Sequence, residues 1–131
     1  MLKKVLIAED YGDIRQMMKV LLEMYGYETF EAADGREAVE KTAEYHPDLI
    51  LMDIMMPRLD GIEATRAIRR TKDGRDIPIV AVSAYDDFYK QRALDAGCTA
   101  VLSKPLFFDE LEPILDHYLH PPNASATRNS H

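Results

Sequence analysis

Cysteine is almost absent from this chain, and the single thiol, Cys98, leaves no partner for an intrachain disulfide. A reducing compartment is the natural reading, so a cytoplasmic location is expected. Cys98 follows Gly97 beside an apolar run, with no base placed to activate it, and is expected to be a small buried packing residue. Long hydrophobic runs are missing too. No segment approaches the length of a membrane span, and Val5-Leu6-Ile7-Ala8, behind Met1-Leu2-Lys3-Lys4, is too short for a signal-peptide core and is followed at once by acid. A surplus of positive charge is also lacking. Sixteen Lys and Arg stand against 23 Asp and Glu, a formal net charge of −7. That excludes nonspecific binding to nucleic acid or to an anionic membrane, since both need excess basic charge. There is no internal repeat and no long internal linker. What remains is 131 residues, 47% hydrophobic and 30% charged, enough for one ordinary globular domain with a real core and too few for two.

The chain is organised around Leu49-Ile50-Leu51-Met52-Asp53. Four consecutive apolar residues suit a strand buried on both faces, as in the middle of a parallel sheet. The run ends on a carboxylate, and the carboxyl ends of strands form the ligand crevice of an open α/β sheet. Asp53 is therefore expected at the mouth of that crevice. Pro57 and Asp60-Gly61 prevent the strand from continuing. Taken alone, a strand-end Asp is as readily a helix cap or a solvated loop acid.

Val5-Leu6-Ile7-Ala8 reads as a first strand, also ending in acid, Glu9-Asp10. Asp13 is a reasonable N-cap for a helix in which Ile14, Met17, Met18, Leu21 and Leu22 recur at helical spacing, the methionines serving as core filler. Gly26 ends it. Tyr27–Glu31 alternates like a strand nearer the sheet edge. Asp34-Gly35 opens a second helix, and Pro47 keeps it from running into the central strand. A third helix follows Gly61, its basic end (Arg66, Arg69, Arg70, Lys72) suiting a helix C-terminus and reading as a solvated face. Pro78–Val82 is a fourth strand delivering Ser83-Ala84. Tyr85-Asp86-Asp87 starts a fourth helix that stops at Gly97, and Thr99–Leu102 is a fifth strand ending in Ser103-Lys104-Pro105. Asp109 caps a last helix, with Pro113 near its first turn. From Pro121 the chain is polar and aperiodic, so residues 121–131 are expected to be disordered. Strand–helix five times over, with right-handed crossovers, gives a doubly wound (βα)5 α/β fold: a five-stranded parallel sheet with helices on both faces.

Such a sheet brings Glu9, Asp10, Asp53, Ser83 and Lys104 to one crevice. Clustered carboxylates raise one another's pKa unless a cation neutralises them. A hard divalent ion with oxygen ligands and retained waters suits the set, with Mg²⁺ the obvious candidate. Metal, lysine and hydroxyl around one carboxylate are the parts needed for phosphoryl transfer onto it.

With these residues in order, the chain resembles the receiver domain of bacterial two-component response regulators, of the CheY-like, flavodoxin-like three-layer type. The matching pieces are Glu9-Asp10, Asp53 with Met56-Pro57-x-x-Asp60-Gly61 behind it, Ser83-Ala84, Ala93-Leu94-x-Ala96-Gly97 and Lys104-Pro105. The resemblance covers about residues 3–120 and implies a receiver over 1–120, standing alone. It implies that Asp53 is the phosphoacceptor, taking its phosphoryl group from a histidine on a sensor kinase or phosphotransfer protein. Asp10 and Asp53 then ligate Mg²⁺, Glu9 acts through water, and the Met55 carbonyl completes the protein ligands. Ser83 and Lys104 contact the phosphoryl oxygens, Lys104-Pro105 is cis, and the small Ala84 leaves room for the phosphoryl group. The protein is then not an enzyme in the usual sense but a switch that catalyses its own phosphorylation and slow dephosphorylation. Bulky Met55 and Tyr85 flank the expected path of attacking water.

Where the family usually has Tyr or Phe, three residues before the lysine, this chain has Val101. Ser83 and the fourth helix are then expected to shift without a ring to report it. A downstream protein target is implied on the face of the fourth helix, fifth strand and fifth helix (Phe88, Tyr89, Arg92, Phe107, Phe108). Kinase docking is implied at Ile14, Arg15 and Met18 and the loop after Lys104. No direct nucleic-acid binding and no membrane insertion are expected. Among rivals, an aspartyl-phosphate hydrolase of the haloacid dehalogenase type wants a second Asp where Met55 stands, and a flavin phosphate would be repelled by Glu9-Asp10. A phosphorylation-independent binding module remains the alternative.

Overall fold

The computed structural model describes residues 2–56, 58–83 and 87–120. Pro57, Ala84, Tyr85 and Asp86, and the expected disordered tail at 121–131, lie outside the described residues. Five strands, β1 (Lys4–Ala8), β2 (Glu28–Ala32), β3 (Leu49–Asp53), β4 (Ile79–Ser83) and β5 (Ala100–Ser103), alternate with five helices. The helices are α1 (Gly12–Met24), α2 (Gly35–Tyr45), α3 (Gly61–Arg70), α4 (Asp87–Ala96) and α5 (Phe108–Leu119). The strands form one parallel sheet in the order β2-β1-β3-β4-β5. The doubly wound α/β architecture expected from the sequence is the one observed.

Strand alternation divides the core into two layers. Leu6, Ile50, Met52, Ile79 and Ala81 point to the side covered by α2, α3 and α4, where they meet Ala38, Ile62, Ala64, Ile68, Ala93 and Ala96. Val5, Ile7, Leu49, Leu51 and Val80 point to the other side and meet Leu22 of α1 and Leu111, Leu115 and Leu119 of α5. Every β3 residue is buried, which is why its sequence shows no polar alternation. Cys98 is buried in the first layer, 3.5 Å from the Thr65 hydroxyl, in the packing role expected of it.

Several local expectations are corrected. Asp13 does not cap α1: the helix begins at Gly12 behind an extended Tyr11, and Asp13 falls in its first turn, where its charge still favours the helix N-terminus. Asp109 likewise lies in the first turn of α5, behind Phe107, and Pro113 falls two residues deeper in the helix than expected. There it deprives the Asp109 carbonyl of its donor, and the helix runs on because its Leu111–Leu115–Leu119 face is buried. By contrast Asp34 caps α2 as expected, accepting from the Glu37 N–H at 2.8 Å. Arg69 is not on a solvated face. Its guanidinium donates to the carbonyls of Gly97 (2.9 Å), Gly74 (2.7 Å) and Ile77 (2.6 Å), tying the end of α3 to the α3–β4 and α4–β5 loops.

Candidate functional site

The sheet order reverses between β1 and β3, one strand leading outward to β2 and the other to β4. The two loops leaving the carboxyl ends at such a point run in opposite directions and leave a crevice between them. Glu9 and Asp10 follow β1 directly, and Asp53 is the last residue of β3. One carboxylate oxygen from each of the three lies within 4.8 Å of the others.

The three acids differ in environment. Asp53 is 3% exposed and Glu9 5%, while Asp10 faces solvent. Lys104, delivered by the end of β5, places Nζ 3.1 Å from Asp53 Oδ1 and 4.0 Å from Glu9 Oε1. The Lys104-Pro105 peptide bond is cis, as expected. Asp53 Oδ1 also accepts from the Met55 N–H at 3.1 Å, so one oxygen of this carboxylate is held by two donors. Ser83 ends β4, is buried, and its carbonyl accepts from the Lys104 N–H at 2.7 Å, which fixes where the lysine leaves the sheet.

Glu9 is the electrostatically costly member. Burial pushes its carboxyl up to about 7, and the neighbouring Asp53 charge pushes the same way. The Tyr11 N–H, which donates to Glu9 Oε2 at 3.0 Å, and Lys104 pull it down without cancelling the rise. One ammonium does not neutralise three carboxylates, and the remaining negative charge is met by a proton on Glu9 or by a cation. Three hard oxygen donors, one of them open to water, match the preferences of a divalent ion that keeps part of its hydration shell. The donor set fits Mg²⁺.

The surrounding backbone is built to leave this space clear. A Cβ on Gly61 would stand 2.3 Å from the Asp53 carbonyl oxygen, so only glycine lets α3 start this close behind the acid. Gly61 N–H closes the loop on the Ile54 carbonyl at 2.8 Å, and Ile54 N–H is held by Val82 O at 3.1 Å.

A profile of the response regulator receiver domain matches residues 5–116. The chain belongs to the response regulator receiver family. The polar-differentiation response regulator DivK of Brucella ovis is 37% identical over 120 residues, covering 91% of this chain and 98% of its own. Among solved structures, the receiver domain of a sensor histidine kinase from Pseudomonas aeruginosa, with a magnesium ion coordinated in its active-site cleft, superposes with a TM-score of 0.85. It is 34% identical, covering 92% of this chain and 99% of its own. The receiver domain of Ssk1 from Saccharomyces cerevisiae, solved with the histidine phosphotransfer protein Ypd1, gives a TM-score of 0.84 at 29% identity, covering 89% of this chain and 88% of its own.

Within this receiver, the predicted residues Glu9, Asp10, Asp53 and Lys104 come together as expected, with Met55 anchored to Asp53 through its N–H. Ala84 and Tyr85 lie outside the described residues. Other expectations are redistributed. Met17 is not core filler: it is 53% exposed and, with Ile14, Met18, Pro105 and Leu106, lines an apolar cavity of about 400 Å³ that opens beside Asp53 and Lys104. Arg15 donates to the Glu9 carbonyl at 2.7 Å and to Glu31 Oε1 at 3.0 Å, so it braces the acidic loop as well as facing outward. Phe108 turns toward α1 and stacks on Tyr25 with ring centroids 4.4 Å apart, away from the α4–β5–α5 face. Phe88 stays exposed on α4 with Arg92 over its ring. Val101 packs into the layer that also holds Tyr89 and Ile77. Among the described residues no helix is long and apolar enough to cross a membrane.

Proposed function

We propose that this receiver is a signalling switch in which Asp53 accepts a phosphoryl group from a phosphohistidine. The observation that carries the reading is the contact of Lys104 Nζ with Asp53 Oδ1, 3.1 Å, inside the cluster of Glu9, Asp10 and Asp53. An Asp53 oxygen forms the new P–O bond as the P–N bond to the donor imidazole breaks, and the imidazole nitrogen takes the electron pair. Asp10, Asp53 and the Met55 carbonyl, with Glu9 through water, would hold Mg²⁺, which would supply positive charge to the phosphoryl oxygens. Lys104 stabilises charge on the same group as its ion pair with the free carboxylate is given up. Ser83, at the end of the neighbouring strand, donates to a phosphoryl oxygen. Transfer and a slow hydrolysis back to Asp53 are both catalysed by this constellation.

The reading assigns residues 1–120 to the receiver and leaves 121–131 outside it. The donor is a sensor histidine kinase or a histidine phosphotransfer protein, as the pairing of Ssk1 with Ypd1 suggests. Ile14, Met18 and the Pro105-Leu106 turn border the cavity beside Asp53 and offer it a docking rim. A downstream protein is met by the α4–β5–α5 face, where Phe88, Arg92 and Phe107 stand, with Val101 replacing the usual aromatic reporter.

The test is intact-protein mass after incubation with acetyl phosphate and Mg²⁺. One phosphoryl increment is expected in the wild type, absent without Mg²⁺ and absent in Asp53→Ala. An unmodified wild type would refute the switch and favour a phosphorylation-independent binding module.

A further inference from the structure

The loop between β3 and α3 carries Met55, whose N–H holds Asp53 and whose carbonyl is assigned to the cation. The two ends of this loop are pinned by backbone hydrogen bonds: Ile54 N–H to Val82 O and Gly61 N–H to Ile54 O. Its flanks are unequal. Toward α4 it borders an open cleft of about 460 Å³ lined by Met55, Met56, Asp60, Tyr89 and Arg92. Toward α2 it is held tightly. The Leu59 carbonyl sits where a Cβ on Gly35 would be, 1.7 Å away. Beside it, Arg58 Nη1 meets Asp34 Oδ2 at 2.5 Å.

Two features set this ion pair apart from an ordinary surface pair. Arg58 has φ +66°, a left-handed conformation that costs a non-glycine residue energy. Its partner is no mobile acid: the Asp34 side chain is 9% exposed and its other oxygen caps α2 through the Glu37 N–H. The Glu37 N–H at the helix N-terminus and, to a lesser degree, the Arg58 guanidinium hold the Asp34 carboxyl below the usual carboxylate range. Arg58 thus ties the apex of the loop to a rigid post, three residues beyond Met55.

We propose that Arg58 is a positioning residue for the cation site, acting with Asp34 as a latch that keeps the Met55 backbone in register with Asp53. This rests on the assignment of Glu9, Asp10, Asp53 and the Met55 carbonyl to Mg²⁺. The latch makes a prediction opposite in sign to simple electrostatics. Removing a cation near an acidic site should tighten Mg²⁺ binding, whereas releasing the loop should weaken it.

The experiment is an amide NMR titration of the full chain with MgCl₂, with melting temperatures measured in parallel. Compared with wild type are Arg58→Ala, Asp34→Asn, the double variant, Arg58→Lys, and Arg36→Ala, the last removing an equally charged, exposed residue of α2. Arg58→Ala is expected to weaken Mg²⁺ about fivefold, less than the 10–100-fold loss typical of buried supporting residues because this pair is partly exposed. Asp34→Asn keeps an oxygen for the cap and should show the same loss, the double variant no more than either, and Arg58→Lys partial recovery. Arg36→Ala should leave affinity unchanged or slightly tighter. Unchanged or tighter binding in Arg58→Ala overturns the latch, as does a lowered melting temperature with unaltered Mg²⁺ affinity. A wild type that does not bind Mg²⁺ overturns the cation site itself.

Discussion

Glu9 stores a pH dependence that can be read in the absence of metal. Its carboxyl is buried beside Asp53 and is pushed up to about 7 from an ordinary 4.5. Below about pH 4.5 the residue is an acid in both folded and unfolded chains. Between 4.5 and 7 the folded state holds a proton that the unfolded state has released, so stability falls as pH rises. Above 7 both are ionised and the slope vanishes. A rise of this size corresponds to about 3 kcal/mol. Glu9→Gln keeps the shape and removes the titration. In EDTA, urea denaturation at intervals from pH 4.5 to 8 should show the wild type losing about 3 kcal/mol relative to the variant across that window. The subtraction removes acids common to both proteins. With Mg²⁺ the dependence changes sense, because the ion competes with the proton: its apparent affinity should rise up to about tenfold per pH unit below 7 and level off above. A wild-type-minus-variant difference that stays flat from pH 5 to 8 would refute the reasoning.

Three further predictions concern the fold that carries the site. Arg69→Ala should destabilise by about 2–4 kcal/mol in urea denaturation, since it strands the carbonyls of Gly97, Gly74 and Ile77 together. An effect below about 0.5 kcal/mol, the range of ordinary surface substitutions, would show that water replaces the guanidinium without cost. Gly35→Ala should cost about 3 kcal/mol, because the new methyl meets backbone, Leu59 O, and not a movable side chain; a near-neutral melting curve would count against that close approach. His46 closes α2 in the left-handed region at φ 51°, so His46→Gly should raise stability by about 0.5–1 kcal/mol, the relief of strain exceeding the added unfolded-state freedom. A loss on the same substitution would mean that the His46–Asp73 contact outweighs the backbone term.

The sequence by itself determined the elements whose signals are local. The unbroken apolar run Leu49–Met52 marked β3 because the interior of a strand buried on both faces admits no polar position, and Asp53 closes the strand at its carboxyl end. Asp34-Gly35 marked the start of α2 through a cap that spans three residues of chain. β2, β4 and β5 were legible, but each stands one residue later in the chain than its apolar pattern indicates, because ladder hydrogen bonds to neighbouring strands set a strand's ends and the order of residues does not show them. The site residues were legible for the same reason as the strands: in a parallel sheet the residue after each apolar run must appear at the carboxyl edge, so Glu9, Asp53, Ser83 and Lys104 converge by topology alone.

What only the tertiary structure decided is the partnership of long polar and aromatic side chains. Arg69 looks like one of four solvated cations until the fold brings Gly97 within reach, and Phe108 chooses α1 over α4 only when Tyr25 arrives beside it. Arg58 finds Asp34 across 24 positions of chain. The proton held by Glu9 is likewise set by burial and by Asp53, neither of which is visible along the chain. Backbone periodicity is written in neighbours a few residues apart, so it can be read in order. Where a flexible side chain ends, and what charge a buried one keeps, depends on atoms that meet only after the sheet has closed.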